Sequence, residues 1–563
     1  MFRWALISNT TIAPLARRLS REVKGPVDKC EFFVSEHGNT ARQVFSPDSE
    51  LYAFKPDLVV IHLDLAEIKS GFDLCVPFET PEERGRLLAD TVEHVRSVLR
   101  ALRGNTSAVL LLHSFQVMPR TVLGIKMEQD YRNLVRRINL DLCQAANELP
   151  QCYLVDIESL WAEAGYSEYD RRFEILAQFP FGTGMQQLLV REWMRYYRAL
   201  RGMTRKCIVL DLDNTLWGGV LGEDGPHGIQ MGDTPEGRPY RRLQQALKAL
   251  NRRGILLAIN SKNNASDVKP VLEQHPDLLL RESDFAAMQI NWDDKAVNLT
   301  RISREINIGL QHMVFLDDSA AERAWVRERH PEVLVPEMPE DKTRYVEVLY
   351  QCELDALAVT EEDLRRGRMY WEERQRRALL SQAPSFEEFL KHLDLEVEIQ
   401  RLSAPLVERA SQLCQRTNQF NLTTRRHNGD EIARFAESAG SVVLLMKARD
   451  RFGEYGWSGL AILQNERDRA SIESFLLSCR VLGKNAEYAL FAAAAKWAVQ
   501  EGCTNLEGLY IPTDKNLACR SFLEQCGMKA VPSPAGALGQ AYTAKLAGLQ
   551  LRSIEHMRIS MRL

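Results

Sequence analysis

Several things are missing from this sequence, and each absence removes a class of function. No apolar run approaches the ~20 residues that cross a bilayer, so no membrane-spanning role is expected. The eleven cysteines include no CxxC pair, and an odd number spread over 563 residues suggests neither a disulfide framework nor a zinc site. Most are expected to be small buried hydrophobes. Charge of one sign is not in excess: 72 basic and 76 acidic residues leave a formal charge of −4, which provides no sequence-wide basic field for nucleic-acid phosphates. The opening MFRWALISNT lacks the charged stretch, longer apolar core and small-residue cleavage site of a signal peptide, so a cytoplasmic protein is expected. Repeats and low-complexity tracts are also absent.

What is present is the balance of a folded protein, 45% hydrophobic and 26% charged. A single core stops growing at roughly 250 to 300 residues, so this chain is expected to divide. Residues 1–200 alternate strand-like runs (FRWALISN, EFFVSEHG, LVVIHLD, AVLLLHSF, CYLVDIES) with helical stretches such as TPEERGRLLADTVEHVRSVLRAL, which predicts a flavodoxin-like α/β domain. A second α/β unit over 201–350 has strands KCIVLDLD, GILLAINS, HMVFLDD and VLVPEM, with polar residues gathered at their C-terminal ends. Open parallel sheets bind ligands there. Residues 351–390 are highly charged (EEDLRRGRMYWEERQRRALL) and read as a solvated helical connector. Residues 391–563 read as an α+β domain. It opens with LEVEIQRLS and continues through the antiparallel runs SVVLLMKARD, GWSGLAILQNE and ASIESFLLSCRVL to the helix NAEYALFAAAAKWAVQEG.

The chemistry concentrates in IVLDLDNTLWGG. An apolar strand delivers two carboxylates, Asp211 and Asp213, to its tip, where they are expected to attract Mg²⁺ together with substrate phosphate oxygens. There the first carboxylate can attack phosphorus while the second trades a proton with the leaving oxygen. Asn214 and Thr215 follow in the turn, as shapers of it or as substrate-binding groups.

These residues resemble the DxDxT signature of the haloacid-dehalogenase superfamily, whose central domain is Rossmann-like. The resemblance continues with Ser261 ending ILLAINS as the hydroxyl that holds the phosphoryl group, and with Lys295 in NWDDKA as the lysine that neutralises nucleophile and phosphate. Asp317 and Asp318 in VFLDDSAAER match the acidic pair completing the metal site, which makes Asp211, Asp213, Asp317 and Asp318 the implied Mg²⁺ ligands. Lys262 in SKNN is a further candidate for phosphate contact.

The longer strings DLDNTLWGGVLGEDG, NRRGILLAINSKNN, INWDDKA and FLDDSAAER resemble the FkbH-like family of polyketide pathways. SELYAFKPDLVVI, RTNQFNLTTRR, RFGEYGWSG and SCRVLGKNAE extend the resemblance over nearly the whole chain. It implies an enzyme that takes 1,3-bisphosphoglycerate, removes its phosphates and loads the glyceryl group as a thioester on an acyl carrier protein. Ser319 and Ala320 stand where the family pattern has Asn-Pro. Alternatives are a phosphatase or loader acting on a different phosphorylated acid, and a non-catalytic scaffold that tethers carrier proteins. A protein thiol carrying the acyl group in transit is a further option, with Cys207 and Cys479 as candidates and buried packing as the competing reading.

The third domain resembles the GNAT acyltransferase fold, with Arg480, Gly483 and Asn485 on its pyrophosphate loop. The resemblance implies that phosphopantetheine or coenzyme A fits there. Asn418, Asn421 and Asp450 belong to the resembling strings without a chemical role. The first domain resembles a remote SGNH hydrolase with Ser8 at the right strand end but no DxxH later in the sequence. It is expected to serve docking or structure, and His113 reads as a satisfied polar residue.

Overall fold

The five apolar runs of the N-terminal region become one parallel sheet of β1 (Phe2–Ser8), β2 (Cys30–Val34), β3 (Leu58–His62), β4 (Val109–His113) and β5 (Cys152–Val155), in the order β2-β1-β3-β4-β5. The structure is a computed structural model that describes every residue except 24–28, 37, 71, 73–77, 119–123, 479, 534–538 and 553. Both faces of the sheet are covered, which is why LVVIH and VLLLH read as unbroken apolar runs rather than alternating ones. Ala5, Ile7, Val59, Ile61 and Leu110 pack one face under the helices Pro81–Asn105 and Ile125–Asn147. Trp4, Leu6, Val60 and Leu111 pack the other under Ala13–Glu22 and Thr183–Leu200. This sheet belongs to a compact unit of Met1–Thr204 and Asp355–Ala358; Arg205–Leu354 and Val359–Leu563 form a second.

The second unit begins with a four-stranded parallel sheet of β6 (Cys207–Leu210), β7 (Leu256–Ser261), β8 (Phe285–Ile290) and β9 (Met313–Leu316), in the order β8-β7-β6-β9. Chain order reverses at β6, so the ligand crevice of this sheet lies beyond the carboxyl ends of β6 and β9. The sequence reading differs here in two places. FAAMQI, rich in alanine and weak in β propensity, is strand β8 because β7 pairs with it from Leu257 to Ser261. VLVPEM is not a strand, and among the described residues its ladder contact is an isolated bridge between Leu334 and Val314.

The C-terminal sheet contains β10 (Leu395–Arg401), β11 (Phe420–Asn421), β12 (Ser441–Asp450), β13 (Gly453–Glu466), β14 (Arg469–Leu477), β15 (Asn505–Tyr510), β16 (Lys529–Val531), β17 (Gln540–Lys545) and β18 (Met557–Arg562). Its order is β16-β17-β15-β14-β13-β12-β10-β18, with β11 joined to β14. Pairing is antiparallel except for β14 with β15 and β10 with β18. The helix Ala486–Gln500, almost wholly buried, crosses the sheet, giving the GNAT-like α+β layout.

The charged segment 351–390 is more than a solvated connector. Within it the helix Glu361–Gln382 starts at a capping box between Thr360 and Asp363 and buries Glu372 and Arg376. Arg374 Nη2 lies 2.7 Å from Glu282 Oε1 in the α/β part, and Arg376 Nε lies 2.6 Å from Asp450 Oδ2 in the C-terminal sheet. Charges are tolerated on the buried face because each has an opposite partner. Among the described residues no helix is long and apolar enough to cross a membrane.

Candidate active site

β6 ends at Leu210, and the next residue, Asp211, donates its N–H to Leu316 O at 2.9 Å, tying the tips of β6 and β9 together. Asp211, Asp317 and Lys295 are all buried there. Lys295 opens the helix Lys295–Ile306, whose N-cap Asp294 accepts from Ala296 N and Val297 N. The lysine carbonyl is held by buried Asn260 through Nδ2 at 2.9 Å. So fixed, Lys295 Nζ lies 2.9 Å from Asp211 Oδ2 and 2.5 Å from Asp317 Oδ2.

Asp211, Asp317 and Asp318 each present an oxygen within 4.8 Å of the others. Three carboxylates share this site with one ammonium. Burial, and then the charge of Asp211, push Asp317 up to about 6, against the opposing pull of Lys295. Burial and Asp211 likewise raise Asp318. Burial disfavours the charge on Lys295, but Asp211 and Asp317 outweigh it and hold the ammonium above its ordinary value. A hard divalent cation with oxygen ligands fits this donor set and supplies the charge it lacks.

The loop carrying Asp317 and Asp318 is set from three sides. Thr215 Oγ1 accepts from Asp318 N at 3.1 Å, Ser319 N donates to Asp317 Oδ1 at 2.9 Å, and buried Arg323 donates through Nη1 to the carbonyls of Asp317 and Asp318 at 2.9 and 2.8 Å. Ser319 also caps the helix Ala320–Arg329.

Several sequence expectations change in the folded protein. Asp213 does not join the metal cluster through its side chain: its Oδ1 accepts from Trp217 Nε1 (2.9 Å) and Leu221 N (3.1 Å), and its Oδ2 from Asn263 Nδ2 (2.9 Å). Asn214 and Thr215 shape the turn after Asp213. Asn214 takes a left-handed φ of 53° and accepts from Gly219 N, and Thr215 is wholly buried beneath the acidic loop. Lys262 is engaged by Glu322 at 2.5 Å. Ser261 does stand at the tip of β7, with Asn263 Nδ2 3.3 Å from its hydroxyl. Asn263 thereby links the Ser261 hydroxyl to Asp213. The sequence reading passed it over because a neutral amide in SKNN carries no signal beside a lysine. Trp217, Asn260 and Arg323 were missed for the same reason: each acts by fixing a neighbour.

Cys207 lacks the exposure that an acyl-carrying thiol requires. It is wholly buried at the opposite end of β6 from Asp211, roughly 13 Å away at the strand rise per residue, and burial pushes its thiol up to about 12. Cys479 lies outside the described residues.

In the C-terminal domain Arg480, Gly483 and Asn485 share one turn ahead of the helix Ala486–Gln500. Gly483 and Asn485 have φ of 73° and 64°, and Lys484 Nζ donates to Arg480 O at 3.0 Å. Asp450 acquires a structural role, since besides Arg376 it accepts from Phe452 N, Gly453 N and the Tyr455 hydroxyl. Asn418 accepts from Arg426, and Asn421 is part of β11. In the N-terminal domain Ser8 is buried, its hydroxyl shared with Thr10 at 3.0 Å, and no imidazole bonds it among the described residues. His113 is satisfied in the core: Trp193 Nε1 donates to its Nε2 at 2.8 Å, and its Nδ1 lies 3.1 Å from His62 Nδ1. Burial lowers both imidazoles, His62 to about 4, so both are neutral at pH 7.

Residues 4–188 match the family described as FkbH, N-terminal domain. The N-terminal part of the protein BF1531 from Bacteroides fragilis, containing a phosphatase domain complexed with Mg, is similar at 29% identity, covering 63% of this chain and 94% of that one, with a TM-score of 0.57. The ribosomal-protein-S18-alanine N-acetyltransferase from Escherichia coli matches at 12% identity over 26% of this chain and 90% of its own, TM-score 0.21. A GNAT-family acetyltransferase from Staphylococcus aureus Mu50 matches at 9% identity over 27% and 99%, TM-score 0.22. Scores that low carry no argument, and the C-terminal sheet is read from its own strand order. No curated protein matches the sequence. The chain is thus similar over residues 4–188 to the FkbH N-terminal domain, and over much of its length to a protein containing a phosphatase domain.

Proposed function

We propose that this protein dephosphorylates 1,3-bisphosphoglycerate and transfers the glyceryl unit as a thioester to an acyl carrier protein in the cytoplasm, for polyketide biosynthesis. The observation that carries the phosphatase half is Lys295, bridging Asp211 and Asp317 at the joined tips of β6 and β9. The FkbH N-terminal match supports the acyl-loading half. Asp211, Asp317 and Asp318 would hold Mg²⁺, which when bound screens the phosphate charge and polarises its oxygens.

An Asp211 oxygen attacks the phosphorus of the monoester, and the bond from phosphorus to the C3 oxygen breaks. Asp213, held by Trp217, Leu221 and Asn263, passes a proton to the departing oxygen and then takes one from the water that cleaves the aspartyl phosphate. Lys295 and the Ser261 hydroxyl hold the phosphoryl oxygens during both steps. The acyl phosphate at C1 is already activated: the carrier's phosphopantetheine thiol attacks the carbonyl, the thioester bond forms and inorganic phosphate leaves. No protein cysteine is needed for this step, consistent with the burial of Cys207.

The experiment is to incubate the protein with Mg²⁺, 1,3-bisphosphoglycerate and holo carrier protein, then weigh the carrier and measure released phosphate. A glyceryl mass gain is expected, and in Asp211→Asn release of the C3 phosphate should be abolished, so that the carrier gains a phosphoglyceryl mass instead. Phosphate release without mass gain would reduce the reading to a phosphatase. Release unchanged in Asp211→Asn would remove the catalytic assignment itself.

A further inference from the structure

The turn 480–485 would receive the phosphates of coenzyme A or of phosphopantetheine only if the arm attached to them could also be seated. That arm is an extended chain with two amides, and extended amide chains are held by adding to a free strand edge. β14 runs into the turn, so its two edges decide the matter. One is paired with β13 along its whole length, from Arg469 to Leu477. The other is paired with β15 only from Arg469 to Ile472, after which the two parallel strands part and leave an opening beside Phe475–Leu477.

The chain itself fills that opening. Phe420 and Asn421 of β11 pair with Leu477 and Leu476, Leu422 N donates to Phe475 O at 3.1 Å, and Ile511 N, just past β15, donates to Leu422 O at 2.9 Å. The segment is therefore bonded to both lips of the opening. Asn516, wholly buried, locks it further by donating through Nδ2 to Asn421 O (2.9 Å) and Ile511 O (2.8 Å). The Phe420 ring packs on Phe475 and Phe522, with centroids 6.3 and 5.1 Å away. An independent feature lies at the helix that follows the turn. Glu487, in the first turn of Ala486–Gln500, is 9% exposed, and its Oε2 has no hydrogen-bond partner. A carboxylate there works against the attraction of a helix N-terminus for phosphate.

We propose that residues 419–424 are a resident strand of the C-terminal domain, and that this domain seats neither coenzyme A nor a pantetheine arm between β14 and β15. The GNAT-like layout is retained without the coenzyme slot that an acyltransferase of this shape needs. The inference stands apart from the glyceryl reading, which requires an acceptor thiol but not this slot.

Hydrogen exchange on the full-length protein tests it, with the amides of Leu422 and Ile511 followed with and without coenzyme A or acetyl-coenzyme A at about 1 mM, far above the Kd of a specific cofactor site, alongside calorimetry. Slow exchange at both amides that the coenzyme leaves unchanged is expected, whether calorimetry finds no saturable heat or binding elsewhere on the protein. Saturable binding that speeds exchange at Leu422 and Ile511 would show the strand being displaced and overturn the proposal. So would fast exchange at both amides in the free protein.

Discussion

Lys295 and Asp317 form a buried ion pair at 2.5 Å, made between the first residue of one helix and the loop that ends β9, 22 residues apart in sequence. Neither group is in water, and each is charged because the other is. The pair also positions Asp211, whose Oδ2 the same ammonium reaches at 2.9 Å. Lys295→Met removes the positive charge while keeping the length of the side chain. Phosphate release should fall by about 10²- to 10³-fold, the usual effect of deleting one electrostatic stabiliser of a transition state. Circular dichroism should remain that of the parent, and a loss smaller than about tenfold would show that the lysine does not face the transferred phosphate.

The same site sets a pH dependence. Asp317 has a folded pKa of about 6 against 3.8 for the free group, so between these values the folded protein binds more protons than the unfolded one. Without metal, its contribution to stability therefore declines as pH rises through this window. Mg²⁺ requires the ionised carboxylate, so its binding strengthens over the same interval. The rise in Tm produced by a fixed Mg²⁺ concentration should be small at pH 5 and larger at pH 7, and a chelator should cancel it. Differential scanning calorimetry across that range checks the sign.

Arg376 and Asp450 join the helix Glu361–Gln382 to the C-terminal sheet, with Nε to Oδ2 at 2.6 Å and Nη2 to Oδ1 at 3.0 Å. Both side chains are buried, and the guanidinium lies 4.4 Å from the centroid of the Tyr455 ring. Arg376→Ala should destabilise by about 3–5 kcal/mol, because it strands a buried carboxylate. Urea unfolding of the two single variants and the double variant Arg376→Ala/Asp450→Ala should give a strong coupling energy. Additive effects would mean that the two side chains do not act as a pair.

Cys207→Ala should leave phosphate release and carrier loading within about twofold of the parent, since a thiol held at high pKa inside a strand is not a nucleophile. Assay of both activities in the variant decides this. Loss of loading with retained phosphatase activity would restore the cysteine as an acyl carrier.

The sequence alone determined the elements whose pattern is local. β3 and β4 of the first sheet are apolar runs buried throughout, and β12 is the run SVVLLMKARD from end to end, because burial on one or both faces writes itself directly into residue order. Asp211 was legible for the same reason, as a carboxylate just past an apolar strand, and Lys295 and Asp317 were legible through their resemblance to the haloacid-dehalogenase pattern. Tertiary structure alone decided what depended on distant partners. β8 is a strand because β7 lies beside it, and Glu372 and Arg376 can be buried because neighbouring charges meet them. Asp213 stays outside the carboxylate cluster because three N–H donors hold its oxygens. The residence of Phe420–Leu422 between β14 and β15 belongs to this second kind: two residues of strand carry almost no periodic signal, and the gap they fill exists only once two other strands have parted.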